Sequence, residues 1–169
     1  KTDLPFDVHL MANEQDYFIG ELLEIGVQQL VFHAECEPHI DNRLNMIRRA
    51  GVRAGVALKP ATSLTVLDYV LEKCDVVLLM LINPGYAGSA KEQQVPYGLR
   101  KISDLRSLIK GRGLHTKIEI DGRVSPENIE ALAKDQADIF VAGSTCIKRD
   151  DIPGSWQALH ALRARALAE

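Results

Sequence analysis

Several short apolar runs in this chain end in side chains that can move a proton, hold a metal ion or grip an anion: His9, His33 with Glu35, Lys59, Asn83, Asp121 and Ser144. Imidazoles and carboxylates are the usual groups for proton transfer near neutral pH, and both are metal ligands. Asp121 is the most exposed to this reading, because Lys117-Ile-Glu-Ile-Asp delivers it directly into the turn at Gly122. Each residue also has a plain structural reading. An Asp before Gly is a turn former, and a histidine at a strand end is commonly just hydrogen-bonded there. Three glycine turns add a second theme: Asn83-Pro84-Gly85-Tyr86-Ala87-Gly88, then Gly122, then Gly143-Ser144. Exposed backbone N–H groups at such turns, next to helix N-termini, are suited to a phosphate. Singly, each glycine is explained by turn geometry; three on successive loops favour the anion.

Those residues need elements that bring them to one place. Ile118 and Ile120 alternate with Lys117 and Glu119, which is a strand pattern, and Ser125-Pro126-Glu127 then opens a helix to about Lys134. The same unit recurs. Phe6–Met11, Leu30–Glu35, Arg53–Leu58, Asp75–Ile82 and Asp138–Val141 read as further strands. Helical stripes follow: Tyr17, Phe18, Leu22 and Ile25; Ile40, Leu44, Ile47 and Ala50; Leu64, Leu67, Val70 and Leu71 after a cap at Thr62 or Ser63; residues 97 to 110; and a last helix from about Ser155 to Leu167 burying Trp156, Leu159, Leu162 and Ala166. The unbroken Val-Val-Leu-Leu-Met-Leu-Ile within 75–82 is buried on both faces, as in a parallel sheet. Six βα units predict a parallel α/β fold with right-handed crossovers. No GxGxxG or P-loop follows an early strand, which favours a barrel over a doubly wound nucleotide-binding sheet. In a barrel the C-terminal strand tips form the active-site rim. The expectation is one domain over residues 1–169, six βα units of a (βα)8 TIM barrel whose first two units are absent.

Composition narrows the function classes. The chain has 169 residues, 46% apolar and 25% charged, with a formal charge of −3. It can bury a core, and its scattered basic residues offer no field for nucleic acid. No apolar run approaches the roughly 20 residues of a membrane span, and no signal-peptide pattern is present, so the expectation is a cytoplasmic protein without membrane partners. Three separated cysteines, Cys36, Cys74 and Cys146, fit reduced thiols.

Asp7-Val-His-Leu-Met11, Phe32-His-Ala-Glu35, Gly55-Val-Ala-Leu-Lys-Pro-Ala-Thr62, Met80-Leu-Ile-Asn-Pro-Gly-Tyr-Ala-Gly88, Ile120-Asp-Gly122 and Val141-Ala-Gly-Ser144 together resemble the ribulose-phosphate 3-epimerase family, in order and along essentially the whole chain. The His-Leu-Met and Asn-Pro-Gly-aromatic-x-Gly elements are the specific ones. The resemblance implies a barrel that inverts C3 of a phosphorylated ketose, a pentulose 5-phosphate by default or a hexulose 6-phosphate as the near variant. It implies a divalent metal, zinc foremost, with iron, manganese or cobalt also used. By motif match, His9 is a metal ligand that also faces substrate, and Asp121 is both ligand and acid/base carboxylate. Gly85, Tyr86, Ala87, Gly88, Gly122, Arg123, Gly143 and Ser144 would hold the phosphate end. Met11 and Met80 would line the metal pocket, although both also suit an ordinary core. Family members commonly form dimers or hexamers. No role is carried over to His33 or Glu35.

The chain also departs from the pattern. The family's other two metal ligands and its second carboxylate lie within a His-x-Asp-x-Met-Asp-Gly motif on the strand before His9, and a serine on its first strand helps shape the site; this chain has neither. Arg123 stands where a second glycine is usual, either to contact phosphate or as a solvent-exposed charge, and Lys59 where Asn is common. A whole barrel would place roughly 60 further residues before Lys1; a true truncation would leave two unpaired edges and an exposed core. Two other readings stay open: another phosphate-binding barrel lyase, and a non-catalytic sugar-phosphate-binding homologue. Against the lyase, Asp7-Val-His9-Leu lacks the lysine of an Asp-x-Lys strand.

Overall fold

The runs with apolar residues on both faces become one all-parallel sheet. Its strands are β1 (Asp7–Leu10), β2 (Gln29–His33), β3 (Arg53–Leu58), β4 (Val76–Met80), β5 (Lys117–Asp121) and β6 (Ile139–Val141), and their order in space is their order in the chain. This is a computed structural model, and it describes residues 2–85, 88–89, 91–134, 136–147 and 150–168. Strictly sequential order decides between the two parallel architectures. Right-handed crossovers that never reverse direction put every helix on one face, whereas a doubly wound sheet reverses at a switch point. The helices are α1 (Gln15–Ile25), α2 (Ile40–Arg49), α3 (Gly98–Gly111), α4 (Ile129–Lys134), α5 (Gly143–Cys146) and α6 (Ile152–Ala168).

The naked face is covered by curling. β1 and β5 are four strands apart, about 19 Å in a flat sheet, yet His9 on β1 lies 3.3 Å from Asp121 on β5. Gln29 on β2 likewise reaches Glu119 on β5 at 3.0 Å. The sheet is therefore an arc of a barrel, with β1 and β6 at its two ends.

Strand parity sorts the side chains. Leu30, Phe32, Val56, Val77, Leu79, Ile118 and Ile120 face the helices in the large core, and Val31, Ala57, Val76, Leu78 and Met80 form a small inner one. Inner space is tight at Gly55, where an added Cβ would sit 2.6 Å from the Val76 carbonyl oxygen and 2.4 Å from its Cγ1. We therefore expect Gly55→Ala to cost at least about 2 kcal/mol, since backbone on the next strand must move; a urea melt measures it.

Two sequence expectations are corrected. The stripe from Leu64 to Leu71 is not an α-helix but two 3-10 turns, Leu64–Leu67 and Leu71–Lys73. Thr65, Val66 and Val70 are β-branched and disfavour a helix. Val70 leaves helical geometry at φ −125°, while Ser63 Oγ accepts the Thr65 N–H as the cap expected there. Trp156 is 55% exposed rather than buried, with its ring 4.9 Å from that of His160. Leu159 and Ala166 of α6 are buried as expected, but α4 has six residues against seventeen and cannot cover the whole length of α6. Among the described residues no helix is long and apolar enough to cross a membrane.

Candidate active site

β1 and β5 end facing each other across the inner side of the curled sheet, and their last inward side chains meet. His9 Nδ1 lies 3.3 Å from Asp121 Oδ2, with the two side chains 12% and 27% exposed. The other nitrogen of His9, Nε2, lies 2.9 Å from Nε2 of His33 at the end of β2. His33 Nδ1 lies 2.9 Å from Glu35 Oε2. Glu35 sits in the 3-10 turn Ala34–Cys36, where its Oε1 accepts the Lys59 N–H at 2.8 Å and the Thr62 hydroxyl. Burial pushes the Glu35 carboxyl up, but the hydrogen bonds from His33, Thr62 and the Lys59 N–H outweigh it and hold the group down at about 2. Both Glu35 oxygens are thereby occupied, and neither is free to act as a base. Among the described residues, the Asp121 carboxylate has one side-chain hydrogen-bond partner, His9.

The turn after β5 is fixed from several sides. The Asp121 carbonyl accepts the Leu81 N–H at 2.7 Å. Gly122 has φ +122°, and a Cβ there would lie 3.0 Å from the Ile82 backbone nitrogen and 2.9 Å from its Cγ1, so both the dihedral and the space call for glycine. Arg123 follows at φ +56°, a left-handed conformation that explains why glycine would suit this position. Its guanidinium donates to the carbonyls of Ser89 and, at 3.1 Å, Glu92. Through Nε and Nη2 it latches the loop after β4 to the turn after β5. Gln94 Nε2 adds a bond to the Gly122 carbonyl at 2.8 Å, and the Asn83 amide bonds Glu92 at 2.9 Å. We expect Arg123→Gly to leave stability within about 1 kcal/mol, because relief of backbone strain offsets lost hydrogen bonds. Faster amide exchange at residues 89, 91 and 92 should show the loosened loop.

The glycine loops come to the same side. Gly85 adopts φ +87° in the loop after β4. Gly143 and Ser144 begin α5 beyond β6, and Thr145 Oγ1 donates to the Val124 carbonyl at 2.7 Å, tying this loop to the β5 turn. An open cleft there is lined by Gln94, Arg123, Ser125, Asn128 and Ser144. Tyr86 and Ala87 lie outside the described residues. Met80 is buried and is the sheet partner of Asp121, whereas Met11, just past β1, is 64% exposed.

Two groups near the rim were not singled out by sequence. Glu119 is 2% exposed, one inward position below Asp121, and Gln29 Nε2 bridges it to Asp7 Oδ1 at 2.7 Å. Lys101 of α3 donates Nζ to the carbonyls of Lys59, Pro60 and Thr62, which props the loop that holds Glu35; burial pushes its amine down.

A nitrogen and an oxygen donor 3.3 Å apart match the roughly 3.3 Å edge between ligands of a tetrahedral zinc site with bonds near 2.0–2.1 Å. The donors thus fit half of such a site. Among the described residues no group of three or more His, Cys, Asp or Glu side chains is placed to hold an ion.

Comparison with known proteins gives one consistent answer. The profile of the ribulose-phosphate 3 epimerase family matches residues 1–147. The chain is 42% identical over 141 residues to ribulose-phosphate 3-epimerase of Buchnera aphidicola, covering 83% of this chain and 60% of that protein. It is 39% identical over 147 residues to the Escherichia coli enzyme of the same name, covering 87% and 64%. The chain thus spans less than two thirds of the length of these curated relatives. Among solved structures it resembles 3-hexulose-6-phosphate synthase from Salmonella typhimurium, with TM-score 0.70, 16% identity, and 95% and 74% of the two chains covered. It also resembles a tryptophan synthase α-subunit from Pyrococcus furiosus, with TM-score 0.58, 17% identity, and 99% and 67% covered. At such identities these two likenesses speak for the fold alone.

Proposed function

Because this chain belongs to the ribulose-phosphate 3-epimerase family, we propose that the protein it forms inverts C3 of a phosphorylated ketose through an enediolate. The default substrate is the ribulose 5-phosphate and xylulose 5-phosphate pair, with a hexulose 6-phosphate as the near variant. The observation that carries this reading is the Asp121–His9 pair at 3.3 Å on the rim, flanked by the glycine loops.

The chemistry asks for two things. A proton next to a ketone is weakly acidic, so the carbonyl must be polarised and the proton must meet a placed base. Asp121 is that base on one face: its carboxylate is partly exposed, bonded among the described residues to His9 alone, and held on a turn that Gly122 and the Arg123 latch keep from drifting. Inversion needs a second carboxylate to return a proton on the opposite face. Glu35 is unsuited, since both its oxygens are taken, and we place that partner in the part of the relatives' length that the chain does not span. His9 and Asp121 would hold the divalent metal, zinc foremost, which when bound polarises the substrate carbonyl and stabilises the enediolate oxygens. The N–H groups around Gly85, Gly122 and Gly143-Ser144 would take the phosphate, with Met80 as the polarisable wall beneath the sugar. A completed (βα)8 barrel, a homo-oligomer and a cytoplasmic site of action belong to the same proposal.

The test is proton exchange. Whole protein loaded with zinc and given ribulose 5-phosphate in D2O should incorporate deuterium at C3 as xylulose 5-phosphate forms. Absence of C3 exchange with every ketose phosphate tried, or release of formaldehyde from a hexulose phosphate, would overturn the reading.

A further inference from the structure

We propose that His33, clamped by Glu35, is a positioning residue that dictates which nitrogen of His9 carries hydrogen, and so turns the bare Nδ1 lone pair of His9 toward Asp121. The inference rests on the proposed epimerase function only where it says that a metal ion uses that lone pair.

The hydrogen placements follow from the contacts in sequence. Glu35 is an ionised carboxylate and can only accept; its Oε2 at 2.9 Å therefore requires the hydrogen of His33 on Nδ1. With both rings neutral, His33 Nε2 is then a lone pair. It stands 2.9 Å from His9 Nε2, so that nitrogen must donate. His9 Nδ1 is left as an acceptor, 3.3 Å from Asp121 Oδ2, which is also an acceptor. Two acceptors aimed at one another form a seat for a cation. With both rings neutral, the opposite arrangement, hydrogen on His9 Nδ1, would set lone pairs against each other either between the two Nε2 atoms or between His33 and Glu35; only an imidazolium at His33, donating from both nitrogens, would let His9 Nδ1 donate to Asp121, and the hydrogens on His33 Nε2 and His9 Nδ1 tell the two cases apart.

The clamp is built for rigidity. His33 is 4% exposed, with its backbone carbonyl accepting from Gln15 Nε2 at 3.2 Å. Glu35 is pinned by Lys59 N–H and Thr62, and Lys101 in turn holds the carbonyls of that same loop. The three consecutive contacts span β5, β1, β2 and the turn after β2, and Glu35 carries them on to the loop after β3. A histidine that ligates metal through one nitrogen is usually oriented by a partner on the other, and losing such a partner typically weakens metal affinity by about 10–100-fold.

Long-range nitrogen–proton NMR of histidine rings in the whole protein, metal-free and at mildly alkaline pH, tests this directly. The expected result is hydrogen on Nε2 of His9 and on Nδ1 of His33, with His33 Nε2 bare. In Glu35→Gln the amide can face His33 Nδ1 with either its oxygen or its NH2 group, so His9 should become a mixture of tautomers, and zinc affinity by chelator competition should fall about 10–100-fold. His33→Gln, whose carbonyl oxygen can replace the accepting Nε2, should hold the His9 tautomer and most of the affinity; His33→Leu should lose both. Hydrogen on His9 Nδ1 with Nε2 bare in the native protein, or an E35Q spectrum and zinc affinity indistinguishable from native, would overturn the proposal. If zinc leaves the His9 resonances unmoved while E35Q still scrambles the tautomer, positioning stands and the metal reading falls.

Discussion

Asp121→Asn should abolish C3 proton exchange, with a loss of at least about 10³-fold, while the protein still folds. General acid–base catalysis by a placed side chain contributes about 10²–10⁴-fold, and the same carboxylate is proposed as a metal ligand, which an amide oxygen replaces poorly. The structural side is what makes the variant informative. Asp121 contributes to the fold through its backbone, whose carbonyl takes the Leu81 N–H, and through its place in the β4–β5 register. Among the described residues its side chain has one polar contact, at 3.3 Å to His9, and it is 27% exposed. Asparagine keeps that volume and can even donate to the bare His9 Nδ1, so the melting temperature should move by no more than about 3 °C. Deuterium wash-in at C3, with a thermal melt of the same sample, checks both halves. Retention of more than a tenth of native exchange would remove Asp121 from the role of base.

What the sequence could disclose depended on whether the signal was local. β4 was legible because a strand buried on both faces has no polar alternation to confuse it, and Val76–Met80 is such a run. Residues 64–71 were not, because apolar spacing alone cannot separate one helix from two 3-10 turns; the β-branched residues and the break at Val70 decide it. Trp156 failed for a reason outside its own helix, the shortness of α4. The site shows the same divide. Nothing local joins His9 to Asp121 across 112 positions, and only an ordered set of motifs suggested the pair. Arg123 reads from sequence as a phosphate contact or an exposed charge, and its hold on the neighbouring loop becomes visible only once Ser89 and Glu92 are brought beside it. The His33–Glu35 clamp had a trace in the strand-end pattern, yet its meaning depends on His9 lying at the neighbouring tip. Glu119 was hidden most fully: Lys117-Ile-Glu-Ile reads as a half-solvated strand, and only the curl of the sheet turns its polar face inward.

That inward turn predicts an unusual pH dependence. Burial pushes the Glu119 carboxyl up to about 8, with the negative charges of Asp7 and Asp121 adding to the effect and Arg53 opposing it. A glutamate free in the unfolded chain ionises near 4.5. Between those two values the folded protein keeps a proton that the unfolded chain releases, so stability falls as pH rises through the window and levels off above about 8. Glu119→Gln removes the titration while keeping the shape and an oxygen to accept from Gln29 Nε2. Native and variant should therefore be alike below about pH 4.5, diverge as pH rises, and differ by on the order of 3 kcal/mol in favour of the variant on the alkaline side. Urea melts of both proteins across this range measure the gap. The native acid would then cost stability where the enzyme is proposed to work, beneath the very carboxylate that must stay ionised to take a proton. A protonated Glu119 adds no negative charge below Asp121, whereas an ionised one would. A gap that stays constant with pH would show that Glu119 does not hold its proton in the folded interior; a gap that opens between about pH 4.5 and about pH 8 would identify it as the buried acid beneath the site.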